Sequence, residues 1–457
     1  LFKKIQNIHF IGIGGSGMSG IAEVLLTLGY KVSGSDAKET DVTARLKGLG
    51  ARVMIGHKAD QVRDAHVVVT STAIGPTNPE LLEALNLHIP VIPRIEMLAE
   101  LARLKYTVAV AGTHGKTTTT SLVSLVLQAG GLDPTVIVGG RMHNIGTGAR
   151  VGRGDYLVAE ADESDGSFLK LQPTLAVITN IDDDHLDFWG KMQALQTGFE
   201  NFAGKVPFYG SVIACVDDDV LRKILPRVRR PLIGYGLSPQ AEVRATDIAS
   251  DEGLTRFTVR RKDEVLGTVT WSAAGRHNVV NSLAAVTVGL ELGVPFATIA
   301  EALASFKGVG RRMEVKGEAG GVLVVDDYGH HPTEVEATLA AAKDRWPDRR
   351  RVVVFQPHRY SRTKLLADRF ATCFRDADAL LLTDIYAAGE KPIDGVTSDW
   401  LAGKFSGKPV TRLTGADLPS SLAGAVKPGD LVLTLGAGDV WKLGEELLKA
   451  LKVRSGK

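Results

Sequence analysis

Residues 106 to 118, YTVAVAGTHGKTT, run from an apolar stretch into a glycine-rich turn that ends in Lys-Thr-Thr. A turn of this composition suits nucleotide phosphates. Gly112 and Gly115 allow a tight bend, so that backbone N–H groups across Thr113, His114 and Thr118 converge on phosphate oxygens. Lys116 then reaches the β- and γ-phosphates, and the Thr117 hydroxyl is placed to ligate Mg2+. Only Thr113 and His114 separate the two glycines, fewer residues than the usual P-loop spacing. The order of β-like run, GxxGKTT and helix-like TTTSLVSLVLQAG nevertheless keeps the mechanics of a phosphate cradle.

Acids follow the cradle in two groups. YLVAEADESDGSF ends in Glu160, Asp162, Glu163 and Asp165, and ITNIDDDHLDFWG ends in Asp182, Asp183, Asp184, His185 and Asp187. Two neighbouring parallel strands would deliver both groups to the C-terminal edge of one sheet, beside the phosphate loop. Mg2+ takes few carboxylates together with phosphate and water oxygens, so Glu160 with Thr117 suits one ion and His185 helps with a second. Zinc is disfavoured, because no Cys/His cluster has ligand spacing.

Three further groups can meet charged ligands. Gly12-Ile13-Gly14-Gly15-Ser16-Gly17-Met18 follows the first apolar run, and Asp36 ends the second about 20 residues on, the spacing of a dinucleotide fingerprint. Such a loop suits a nicotinamide or flavin, and equally any UDP-bearing ligand, which offers the same diphosphate. Arg311 and Arg312 lie in the glycine-rich KGVGRRM, where guanidinium groups on a hinge would engage a transferring phosphoryl group only as domains close. Finally, DDYGHHPTEV and QPHRYSRT bring Asp326, Asp327, His330, His331, His358, Arg359 and Arg362 towards one sheet edge. Arginines suit carboxylates there, and Asp326 and Asp327 suit ribose hydroxyls.

The elements that must position these groups form an α/β chain. Short apolar runs alternate with helical patterns almost throughout, as in parallel sheets wrapped by helices. A first segment, 1–104, holds NIHFIGIG, KVSGSD, ARVMIG, HVVVTSTA and IPVIPR as strands. A second, 105–312, opens on the P-loop strand and includes an alternating stretch over 242–272 that predicts a small antiparallel insertion at a sheet edge. A third, 313–457, carries VLVVDDYG, RVVVFQPH, ALLLTDIY and LVLTLGAGD. The length, 457 residues with 44% hydrophobic content, allows a core in each. With 54 basic against 52 acidic residues the net charge is +2, so no global field favours nucleic acid or a membrane surface. Cys215 and Cys373 are too few and too far apart for a disulfide framework, and a reducing cytoplasm is the expected compartment. Because the chain opens on Leu1, a short preceding segment is expected.

GIGGSGMSG, GTHGKTT, EADESD, TNIDDDHLD, HNVVN, DDYGHHPTEV and QPHRYSRT, in this order, resemble the cytoplasmic muramyl (Mur) ligases of bacterial peptidoglycan synthesis. The resemblance implies three domains: a Rossmann-like N-terminal domain for a UDP-sugar, a central ATPase domain, and a Rossmann-like C-terminal domain that closes over ATP and an amino acid. It implies that Gly14, Gly15, Ser16, Gly17, Met18, Asp36, His57 and Ser71 face the UDP-sugar, and Asn278 and Asn281 the adenine. Arg312, Asp326 and Asp327 join the ATP set. Lys116, Glu160, His185, Arg311, His330, Arg359 and Arg362 are the implied catalytic residues, and Thr117, Glu160 and His185 the metal ligands. The implied reaction is ATP- and Mg2+-dependent joining of L-alanine to the lactyl carboxylate of UDP-N-acetylmuramate through an acyl phosphate. Small molecules are the implied partners, with no nucleic acid or membrane, for a monomer or weak homodimer. Later-step members carry a carbamylated lysine where Phe199 stands here, which fits the alanine-adding branch. The murein-recycling branch, which attaches a tripeptide, is the nearest alternative. An NAD-linked oxidoreductase would leave the P-loop and acids unexplained, and a nucleotide-gated binding protein would not need the HHPT and HRYSR groups.

Overall fold

A computed structural model describes residues 5–71, 73–144, 147–251, 253–405, 409–414 and 418–455, with only the backbone at 16, 140, 141, 147, 454 and 455. Two units result, one of residues 1–246, 258–269 and 280–306, the other of 247–257, 270–279 and 307–457. Among the described residues no helix is long and apolar enough to cross a membrane.

The first unit contains an N-terminal sheet of β1 (Asn7–Ile11), β2 (Lys31–Asp36), β3 (Arg52–Ile55), β4 (Val67–Thr70) and β5 (Val91–Pro93). Their order is β3-β2-β1-β4-β5, all parallel. The chain leaves β1 for one side of the sheet and later returns to the other, so the glycine loop after β1 sits at the switch point where α/β sheets bind ligands.

A central sheet follows, built from β6 (Tyr106–Ala111), β7 (Thr135–Met142), β8 (Thr147–Arg150), β9 (Tyr156–Glu160), β10 (Leu175–Ile178), β11 (Ser211–Cys215), β12 (Leu232–Gly236), β13 (Val243–Asp251), β14 (Leu254–Arg261) and β15 (Glu264–Trp271). Its order is β15-β14-β13-β12-β11-β10-β6-β9-β7-β8. The apolar runs that predicted β6, β9, β10 and β11 show no alternation because both faces of these strands are covered: Val108 to Ala111 are fully buried. Strand pairing differs from that expected. The two acid-bearing strands, β9 and β10, are not neighbours, since β6 lies between them and pairs in parallel with each. The insertion over 242–272 is present, but β13 joins β12 in parallel. The strand β12 was not legible, because LIGYG is short and two of its five residues are glycine.

Phe199 is fully buried, with Phe168 and Phe202 also sealed and the Phe168 ring centroid 5.3 Å from Phe199 and 5.1 Å from Phe202. A carbamate has no place in such a cluster. Phe199→Ala is expected to lower unfolding stability by about 3 to 5 kcal/mol through the cavity it leaves, read as a lower denaturant midpoint at unchanged slope.

In the second unit, β16 (Glu314–Ala319), β17 (Val322–Asp327), β18 (Arg350–Phe355), β19 (Ala379–Leu382), β20 (Val410–Arg412) and β21 (Asp430–Leu435) form a sheet ordered β16-β17-β21-β18-β19-β20. Only the β16–β17 pair among these is antiparallel. Alternate residues feed two cores, Leu323, Val325, Val353 and Phe355 on one face and Val322, Val324, Val352 and Val354 on the other. Cys215 and Cys373 are buried free thiols, and burial pushes Cys215 up to about 12.

Candidate functional site

The phosphate loop takes the backbone its glycines require. Gly112 has φ +133° and a Cβ there would overlap the Thr179 side chain, while Gly115 has φ +81° and a Cβ would lie 2.5 Å from Asn281 Oδ1. Gly115 precedes the helix Lys116–Ala129, whose start has no side-chain cap, leaving N–H groups directed at the loop. The loop is braced from β10: Asn180 Oδ1 accepts from His114 N at 2.8 Å, Thr179 Oγ1 donates to His114 O at 2.6 Å, and Asp182 N donates to Thr113 Oγ1 at 2.9 Å. His114 Nε2 lies 3.0 Å from Asp182 Oδ2. With β6 central, the loop is flanked by acids on both sides.

Lys116 Nζ donates to Glu163 Oε2 at 2.7 Å and Oε1 at 2.9 Å, and to Gly112 O at 2.7 Å. Burial would lower the lysine's pKa, but Glu163, Asp162 and Glu160 together raise it above the ordinary value, so the ammonium persists. Glu163, 1% exposed, was read from sequence only as one acid of several; its partnering of Lys116 over 47 positions leaves no local signal. Its backbone carbonyl accepts from Trp189 Nε1 at 2.9 Å.

Thr117 and Glu160 are brought together. Burial pushes the Glu160 carboxyl up, against a hydrogen bond from Thr117 and the charge of Lys116, and Glu160 Oε1 is buried with no hydrogen-bond partner. An orphaned carboxylate oxygen beside a hydroxyl is a donor set that Mg2+ would satisfy. His185 stands at φ 56°, 3.5 Å from Asp184 Oδ2. Asn281 packs behind Gly115 and accepts from Thr119 Oγ1 at 3.3 Å. Asn278 donates to Ala274 O at 2.7 Å. Thr118 is buried in the helix.

In the N-terminal sheet, Gly12 N and Ile13 N both donate to Ser35 O, at 2.8 and 2.9 Å. Asp36 Oδ2 accepts from Gly14 N at 2.9 Å, so this carboxylate shapes the loop. Gly15 and Gly17 line the start of the helix Ser16–Thr27; the side chain of Ser16 lies outside the described residues. Met18 corrects the expectation that its side chain meets the sugar nucleotide: it is 3% exposed and belongs to the core. His57 and Ser71 lie at the same C-terminal edge, partly exposed. Arg94 was missed. Its guanidinium occupies the space a Cβ on Gly17 would need, and it lies 3.9 Å from Asp162; only folding brings the start of the helix Arg94–Ala102 over the glycine loop.

The second unit gives three residues tasks that differ from those expected. Arg311 is not a free hinge charge: Nε donates to Asp326 Oδ2 at 2.9 Å, and the terminal nitrogens reach Gly436 O at 2.6 Å and Gly438 O at 3.0 Å. Asp326 is fully buried and also accepts from Thr434 Oγ1 at 2.7 Å. Asp327, 4% exposed, accepts from Met313 N and Gly329 N at 2.8 Å each. Both carboxylates are sealed beneath the 311–313 turn, which they hold, and are unavailable to ribose hydroxyls. Arg312 lies over the Tyr328 ring at 5.2 Å and 3.5 Å from Glu334.

The β17 and β18 ends do assemble a group. His330 lies between the rings of Tyr328 and His358, with centroids 5.4 and 5.7 Å away, and His358 stacks on Tyr386 at 5.5 Å. Arg362, 7% exposed, contacts His358 Nδ1 at 3.3 Å. Arg359, at φ 71°, pairs with Glu390 at 2.6 Å. His331 instead caps the helix Pro332–Arg345, accepting from Thr333 N at 3.3 Å. Tyr386 and Glu390 were not singled out, since they come from the loop after β19.

Comparison with known proteins agrees along the chain. Residues 7–106 match the Mur ligase family catalytic domain, 110–289 the Mur ligase middle domain and 311–438 the Mur ligase glutamate ligase domain. UDP-N-acetylmuramate–L-alanine ligase of Geobacter sulfurreducens is 56% identical over 99% of both chains. The enzyme of the same name from Pelobacter propionicus is 54% identical over 100% of both. The crystal structure of UDP-N-acetylmuramate-alanine ligase from Thermotoga maritima superposes with TM-score 0.82 at 29% identity, over 99% of this chain and 100% of that one. A murein peptide ligase from Psychrobacter arcticus gives 0.74 at 26%, over 98% and 99%. A phosphate loop flanked by acids, a glycine loop at a sheet switch point and an Arg/His group on a third sheet thus coincide with full-length similarity, and the chain belongs to the Mur ligase family.

Proposed function

We propose that this chain joins L-alanine to the lactyl carboxylate of UDP-N-acetylmuramate and converts ATP to ADP and phosphate. Identity of 53 to 56% over at least 98% of the chain to relatives named for that reaction carries the reading. A carboxylate oxygen leaves poorly, so the γ-phosphoryl group is first transferred to it, giving an acyl phosphate. The amine of L-alanine then attacks the acyl carbon, phosphate departs and an amide remains. Little covalent work falls to the protein, which positions the reactants and stabilises charge. Lys116 and the loop N–H groups receive the phosphates; Arg359, Arg362 and His330 hold the amino acid and the reacting end of the sugar. Mg2+, held by Thr117, Glu160 and His185, would neutralise phosphate charge. Gly14, Gly15, Gly17, His57 and Ser71 take the UDP-sugar, and Asn278 and Asn281 the nucleotide.

The working domain limits are 1–104, 105–312 and 313–457. The compartment is the cytoplasm, and the protein acts as a monomer or weak homodimer on small molecules, without nucleic acid or membrane. The likeness to a murein peptide ligase keeps one alternative, a tripeptide as the amine. Phosphate release is therefore compared with ATP, UDP-N-acetylmuramate and either L-alanine or L-alanyl-D-glutamyl-diaminopimelate. Release with alanine at a catalytic rate, and little with the tripeptide, is expected. The reverse order would replace the proposal with the recycling activity.

A further inference from the structure

Beneath the N-terminal sheet edge lies a buried hydrogen-bond network, of which the account above uses only His57. Glu80, on the first turn of the helix Pro79–Asn86, is fully buried. Its Oε2 is 2.6 Å from His9 Nε2 and its Oε1 is 2.7 Å from His57 Nδ1. His9, itself 0% exposed on β1, reaches Ser33 Oγ at 2.9 Å through Nδ1, and His57 Nδ1 is also 3.0 Å from Ser35 Oγ. Ser35 is the residue whose carbonyl holds Gly12 and Ile13 of the glycine loop. One carboxylate thus joins β1, β2, the second residue past β3 and a helix.

A core made for stability alone would not contain this group, because burying a carboxylate costs several kcal/mol unless it is fully bonded, and apolar packing is usually at least as stable. Here the carboxylate is kept ionised: burial acts to raise its pKa, but hydrogen bonds from His9, Ser35 and His57 hold it below the ordinary value. An ionised carboxylate only accepts, so the His57 proton is fixed on Nδ1. Nε2 is then the polar atom left at the ring's other end. The side chain is 24% exposed, at the edge that carries the glycine loop.

We infer that Glu80 is a positioning residue for the sugar-nucleotide site, fixing the tautomer and orientation of His57 so that Nε2, an acceptor in this tautomer, meets a hydroxyl or N–H donor of the diphosphate-bearing ligand while Ser35 steadies the glycine loop. The inference rests on the reading of the N-terminal edge as a UDP-sugar site.

Glu80→Gln, similar in shape but without the charge, is expected to raise the KM for UDP-N-acetylmuramate on the order of tenfold, with kcat and the KM values for ATP and alanine within about twofold. Glu80→Asp should recover part of the loss. In wild-type protein, 15N-histidine NMR should find His57 protonated on Nδ1 and its Nε2 resonance should move on addition of UDP-N-acetylmuramate, a readout that does not depend on the variant folding. Unchanged sugar-nucleotide KM in a folded Glu80→Gln protein, or no movement of Nε2 on binding, would overturn the inference alone. Wild-type protein that fails to bind UDP-N-acetylmuramate would overturn the proposed function with it.

Discussion

Lys116→Ala is expected to cut ATP-dependent phosphate release by about 1000-fold, the scale lost when a preorganised charge donor is removed from a transferring group. UDP-N-acetylmuramate should still bind, because its loop lies on the N-terminal sheet and shares no hydrogen bond with Lys116 among those described. The same substitution should also cost stability. Glu163 is 1% exposed and has its carboxylate bonded through both oxygens to Lys116; stranding it should cost about 3 to 5 kcal/mol. Lys116→Ala with Glu163→Gln should regain much of that stability and none of the activity, which separates the structural role of the pair from its chemical one. Phosphate release and thermal unfolding on the four proteins of this cycle read both effects. Near-wild-type turnover in Lys116→Ala would remove the loop from the mechanism.

The second large effect is expected at Arg362. It is 7% exposed and rests against His358, beside His330, so a carboxylate that it receives is bound largely out of water. Loss of a charge-assisted contact in such a place costs about 3 kcal/mol. Arg362→Ala should therefore raise the KM for L-alanine on the order of 100-fold, with the KM for ATP changed by less than about threefold. Arg362→Lys should restore little, since an ammonium does not reproduce the planar fork. Equal changes for both substrates would place the residue elsewhere.

Local pattern and tertiary pairing were unequally legible in the sequence. Glycines followed by Lys-Thr announce a phosphate loop because the turn, the cation and the helix start are consecutive, and the unbroken apolar runs of β6, β9 and β10 announce a sheet covered on both faces. Strand order is not written locally, so the insertion of β6 between β9 and β10 emerged only on folding. Burial decided the residues that were misread. Met18, Asp326 and Asp327 have the types expected of ligand contacts, yet they are 3%, 0% and 4% exposed and serve the core or the turn at 311–313. The pairings missed altogether, Glu80 with His57 and Glu163 with Lys116, span 23 and 47 positions, beyond any helical or strand period. Arg311 was read as a mobile hinge charge from its glycine-rich surroundings, whereas Asp326 and the 436–438 carbonyls commit it to the fold.

The central claim is that the lactyl carboxylate is phosphorylated before the amide forms, and oxygen tracing tests it directly. UDP-N-acetylmuramate labelled with 18O in both carboxylate oxygens is incubated with the protein, ATP, Mg2+ and L-alanine, and the phosphate and the product are weighed by mass spectrometry. The account predicts a product heavier by one alanine less water, with one 18O in each released phosphate and one retained in the new amide. Released phosphate without label, or ATP hydrolysis with no alanine-bearing product, would contradict it.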